Sequence, residues 1–184
     1  MALLEVLQFP DPRLKLVCKR IDEVTDDIRE LAANMCEVMY DEPGIGLAAP
    51  QVGRDVRLVV VDTEWTDEDQ DRSPIVIVNP ELSEQEGKVV WEEGCLSVPD
   101  YTADVNRAER LRVTGTSLDG ELIDIAAEGL QAVCFQHEID HLDGVLFIDR
   151  ISRLKRSLYV KRRKKQIAAE EEEEELEDTR GARL

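Results

Sequence analysis

The sequence predicts an α+β fold. Its periodicities run helix, several strands, a hairpin, a helix and a terminal helix, and regular β-α-β alternation is missing. The 184 residues suffice for one domain with a substantial core. Thr25 or Asp26 can cap a first helix reaching about Asp41, with Ile28, Leu31, Met35, Val38 and Met39 at helical spacing. A glycine-rich turn, GIGLAAPQVG, follows from Gly44 to Gly53. Arg57 to Asp62 reads as a strand, Glu64 to Ser73 as a polar loop, and Ile75 to Val78 and Lys88 to Trp91 as two further strands. Arg110 to Leu118 and Glu121 to Ala126 flank Asp119-Gly120, a pair that favours a tight hairpin turn. Gly129 to Asp143 reads as a helix with Gly144 as its stop, and Ser152 caps a final helix.

Composition excludes several classes. A net charge of −18 argues against a general nucleic-acid binder, and so against a DNA partner, since either would need a broad basic face. The apolar runs are far shorter than a membrane span, and the start, MALLEVLQFPDPRLK, lacks a signal-peptide core. The expected location is cytoplasmic. The four cysteines form no CxxC pair and no dense disulfide framework. The end of the chain changes character: Arg153 to Lys165 carries eight basic residues, and Glu170 to Glu175 is an unbroken acidic run. A surface helix fraying into a disordered tail near Leu184 is expected there.

Chemistry concentrates in one motif. The only two histidines, His137 and His141, lie in HEIDH on the expected helix. A spacing of four residues puts both imidazoles on one helical face, about 6 Å apart along the axis, so both can reach one cation. Glu138 can lean over the same cation as a proton carrier. A third protein ligand is needed. No histidine follows His141, and no glutamate follows until Glu170, so the usual HExxH protease completion is poorly supported. A thiolate is a strong donor to such cations. Cys134 precedes His137 by three residues but stands about 10 Å along the axis from His141, and reads more simply as a small buried wall residue. Cys95, in EEGCLSVP after an expected strand, has room beside Gly94; its alternative is an inert core thiol.

GIGLAAPQVG, EEGCLSVP and QHEIDHL, in this order, resemble the three signature motifs of bacterial peptide deformylases, over a stretch from about Phe9 to Ile151. The resemblance implies removal of the formyl group from the N-terminal methionine of new proteins, on an α+β fold whose antiparallel sheets pack around the HEIDH helix. It implies that Cys95, His137 and His141 hold one divalent metal, ferrous iron by family habit, with zinc, nickel or cobalt able to substitute. Glu138 would be the general base and acid. Gln51 and the Leu96 N–H would hold the formyl oxygen, and Gly46 would bond the substrate backbone. Gly44, Ile45, Val133, Cys134 and His137 would border the methionine pocket. Glu93, Arg107 and Asp140 match positions that brace the site in relatives, whereas Asp100-Tyr101-Thr102 departs from the arginine many of them carry. The expected organisation is a catalytic domain over residues 1–151, then a charged helix and acidic tail over 152–184. N-formylmethionyl nascent peptides are the expected partners, with ribosome docking through the basic helix. A general metallopeptidase and an inactive nascent-chain binder are the rival readings.

Overall fold

The computed structural model describes residues 4–65 and 71–181, by backbone alone at 171 and 173–181. The chain forms two compact units, Met1–Arg150 and Ile151–Leu184.

Among the described residues, the first unit holds two α-helices and seven strands. Helix α1 is Asp26–Asp41 and α2 is Gly129–Leu142. The strands are β1 (Gly46–Ala48), β2 (Leu58–Val61), β3 (Ile75–Glu86), β4 (Val89–Cys95), β5 (Val98–Arg107), β6 (Arg110–Thr116) and β7 (Leu122–Glu128). Five of them form a sheet in the order β1-β2-β3-β6-β7, and β4 pairs with β5 separately. Every named pairing is antiparallel. The architecture is α+β, as the sequence predicts.

Strand β2 explains how the sheet is covered. All four of its residues are buried, because both faces meet helices. Val59 and Val61 join one core with Ala132, Phe135, Ile139 and Leu142 of α2. Leu58 and Val60 join another with Leu31, Met35 and Met39 of α1. Burying each such side chain stabilises the fold by about 1.5–3 kcal/mol. Helix α2 therefore packs against a strand that is buried along its whole length. It ends at Asp143, and Gly144 takes the left-handed φ of 71° that a side chain would resist. A Cβ there would also meet the Lys15 carbonyl oxygen at 2.6 Å.

Several expectations need correction. β5 goes beyond the sequence expectation, which places no element over VPDYTADVNR, where Pro99 and the charged residues break strand patterning. Its pairing with β4 supplies what local sequence does not. β3 runs eight residues past Val78, to Glu86, and β1 forms inside the stretch read as a turn. Of the polar loop Glu64 to Ser73, residues 66–70 lie outside the described residues.

The second unit is helix α3, Arg153–Gly181. The Ser152 hydroxyl accepts from the Lys155 N–H at 3.3 Å, the N-cap bond expected of it. The helical backbone continues through the acidic run to Gly181, and the disorder expected near Leu184 lies outside the described residues. Among the described residues, no helix is long and apolar enough to cross a membrane.

Candidate metal centre and its pocket

Three side chains from two elements converge beside α2. That helix presents His137 and His141 one turn apart, and the end of β4 presents Cys95. The Cys95 Sγ lies 3.3 Å from His141 Nε2, which lies 3.3 Å from His137 Nε2. All three donor atoms fall within 4.8 Å of one another. One thiolate and two imidazoles converging in this way form a donor set suited to a borderline divalent cation, so the residues present can hold a metal. Cys134 instead points its Sγ at the Ile45 carbonyl oxygen, 3.5 Å away. Burial pushes its thiol well above the ordinary range, which disfavours the thiolate a metal needs.

The other nitrogen of His137 is fixed. Nδ1 sits 2.8 Å from Glu93 Oε2. A carboxylate accepts there, so Nδ1 carries the hydrogen and the Nε2 lone pair faces the cluster. Glu93 in turn accepts from Arg107 Nε at 2.6 Å and Nη2 at 2.9 Å. Burial pushes the Glu93 carboxyl up, but Arg107 and His137 outweigh it and hold it at about 2. His137 is opposed by burial yet raised well above its ordinary value by Cys95 and Glu93. A proton and a cation therefore compete for the same nitrogen. Burial pushes His141 well below its ordinary value, toward the neutral form that ligates.

Glu138 is 4% exposed, and its Oε2 is buried without a hydrogen-bond partner. Burial raises its carboxyl to about 7. Such a group can exchange a proton near neutrality.

Gln51 is set by its own turn. It lies in the 3-10 segment Ala49–Val52, and its Oε1 accepts from the Ala48 N–H at 2.8 Å. That bond fixes which way the amide faces. Nε2 is thereby aimed at Ser97 Oγ (3.2 Å) and Cys95 Sγ (3.6 Å). Leu96 and Ser97 form the two-residue tip between the paired Cys95 and Val98, so the Leu96 N–H adjoins the candidate ligand.

A cavity of about 790 Å³ opens beside these groups, within the range of small-ligand sites. Gly44, Ile45, Gly46, Val133 and Cys134 all line it, together with Gln51, Cys95, Leu96, His137 and Glu138. Leu130 and Trp91 line it too and were not singled out from sequence. Leu130 was legible, standing three residues before Val133 and four before Cys134 on one helical face. Ser97, the partner of Gln51, had no signal beyond its place in EEGCLSVP. Arg150, whose guanidinium forks onto Asp140, had none.

Comparison with known proteins agrees with this picture. The family model for polypeptide deformylase matches residues 3–157. A peptide deformylase of Alkalilimnicola ehrlichii is 52% identical over 156 residues, covering 85% of this chain and 86% of that protein. The crystal structure of a Legionella pneumophila peptide deformylase superposes with a TM-score of 0.82 at 40% identity, covering 91% of this chain and 98% of that one. The Ehrlichia chaffeensis enzyme in complex with actinonin superposes with a TM-score of 0.83 at 37% identity, covering 90% and 98%.

Proposed function

The chain belongs to the peptide deformylase family and is a metal-dependent hydrolase of N-formylmethionyl nascent peptides, and from that premise we propose that Cys95, His137 and His141 hold the metal while Glu138, Gln51 and the Leu96 N–H act on the formyl group. The convergence of the three donor atoms beside the buried Glu138 carries this reading.

A bound divalent cation supplies activation of water and polarisation of the formyl carbonyl. Glu138 takes a proton from the attacking water and delivers it to the departing amine, and its carboxyl at about 7 suits both transfers. Negative charge grows on the formyl oxygen as water adds. The Gln51 Nε2 and the Leu96 N–H donate to it there, each contributing about 3 kcal/mol to the transition state. The carbon–nitrogen bond breaks, formate leaves and the methionine amine is free.

Gly46 lies on β1, an outer strand of the five-stranded sheet. An extended peptide can add beside such an edge, with Gly46 bonding its backbone. Gly44, Ile45, Val133 and Cys134 then receive the methionine side chain.

The metal in the cell is ferrous iron, with zinc, nickel or cobalt able to occupy the same donors. The protein works in the cytoplasm. The basic stretch Arg153 to Lys165 docks on ribosomal RNA phosphates. Truncation after Ile151 should weaken ribosome pelleting while sparing hydrolysis of a short formyl-peptide; unchanged pelleting removes the docking role.

The deciding experiment is formate release from a formyl-methionyl peptide under anaerobic conditions, with metal analysis of the same sample. Air must be excluded because a cysteine ligand oxidises. About one equivalent of metal and steady formate release are expected. Metal-loaded protein that releases no formate overturns the reading.

A further inference from the structure

Arg107 is shared by two buried carboxylates. Besides its fork on Glu93, its Nη1 donates to Asp140 Oδ2 at 2.6 Å, and its side chain is 1% exposed. One guanidinium cannot neutralise two carboxylates, and an uncompensated buried charge is costly. A second guanidinium completes the set: Arg150 Nε donates to Asp140 Oδ2 and Nη2 to Oδ1. Two positive and two negative groups then balance. Asp140 itself stands on α2 between the two histidines.

We infer that Arg150 is a positioning residue for the metal centre, holding His137 through the ion-pair series Arg150–Asp140–Arg107–Glu93. With Arg150 gone, the excess charge on Asp140 draws Arg107 toward itself. The fork on Glu93 loosens, and the hydrogen bond that orients His137 Nδ1 loosens with it. The turn that delivers Arg150 reinforces this placement. Its backbone N–H donates to the Phe147 carbonyl at 3.0 Å. The buried Phe147 ring lies 6.1 Å from the His137 ring at an interplanar angle of 26°. One short segment, Phe147 to Arg150, thus constrains His137 from two directions: by ring packing and by charge.

Arg150 is also the reachable member of the series. Its side chain is 43% exposed, against 1% for Arg107 and 4% for Glu93, so it can be replaced with the least damage to the core.

The inference rests on His137 being a ligand. That reading fails if the unaltered protein binds no stoichiometric cation. The inference about Arg150 fails on a different result, the rate at which bound cation is lost. The full chain is loaded with cobalt and challenged with excess chelator, and release is followed by the cobalt absorption spectrum. Outer partners of metal ligands typically govern metal affinity by tenfold or more. Arg150→Met should release cobalt about tenfold faster and alter the spectrum. Arg150→Lys should fall between, about threefold faster, because an ammonium restores charge but not the fork. Arg112→Met, which removes an exposed pair with Asp124, should match the unaltered protein. In an Asp140→Asn background, Arg150→Met should add no further acceleration. Release from folded Arg150→Met at the unaltered rate overturns the inference, as does full acceleration in the Asp140→Asn background. Should Arg150→Met not fold, Arg150→Lys decides alone, and release at the unaltered rate overturns the idea.

Discussion

A Cβ on Gly46 would stand 2.5 Å from Oε1 of Glu138, so the glycine and the carboxylate occupy interlocking space. The same atom would meet Cys134 Sγ at 2.8 Å, which blocks the neighbouring escape. Gly46→Ala should therefore push the Glu138 carboxylate off its position. A misplacement of about 1 Å can cost on the order of a hundredfold in rate. Formate-release kinetics should show kcat falling by about that much with metal content intact. A variant with normal kcat would separate Glu138 from the reacting water.

Glu138→Ala removes the proton carrier and leaves all three candidate ligands. Turnover should fall by about a hundredfold to ten-thousandfold, with about one metal per chain retained by elemental analysis. Unimpaired formate release would rule out the proton-transfer role.

Cys95→Ser should lower metal content far more than Cys134→Ser. The first sulfur lies 3.3 Å from His141 Nε2, whereas the second faces a carbonyl oxygen. Equal losses in anaerobically purified variants would undo the choice of ligand.

Acid stability should depend on Asp62, away from the metal centre. Burial pushes its carboxyl up, but the Tyr40 hydroxyl at 2.6 Å and the N–H groups of Ser73 and Trp65 outweigh burial and hold it below its ordinary value. A lowered folded pKa means the stabilisation is present above the unfolded value, about 3.9, and is lost as pH falls through the folded one. Tyr40→Phe removes one donor to a buried charge and should cost about 1.5–3 kcal/mol at pH 7. Urea unfolding should show that deficit shrinking as pH falls below about 4. A deficit constant across that window would place the Tyr40 contribution in packing.

The parts of the fold that were legible in sequence are those fixed by local pattern. Helix α2 carried its own histidine spacing and its Gly144 stop, and the β6–β7 hairpin was marked by Asp119-Gly120, where Gly120 has φ of 80°. Strand β5 was not legible, because Pro99, Asp100 and Asp104 break the alternation and Asp100 takes a positive φ of 56°. Its structure comes from pairing with β4, which no local rule encodes. The site divides in the same way. Residues inside the three motifs could be named at once, as could the brace candidates Glu93, Arg107 and Asp140. Arg150 could not, because it reaches Asp140 from a separate turn ten residues downstream, and a salt bridge leaves no periodicity to read.

Both faces of β2 are apolar, so hydrophobicity alone cannot tell one phase of this strand from the other. Sliding Leu58 to Val61 by one position would exchange the residues facing α1 and α2 with little change in oiliness. What distinguishes the two alignments is Asp62, the first polar residue beyond the strand, whose N–H reaches Ile45 and whose carboxylate is held by Tyr40. A slipped chain would strand that charge in grease. Asp62 at one end of β2, with Arg57 paired to Asp143 at the other, marks the alignment that apolar burial alone leaves open.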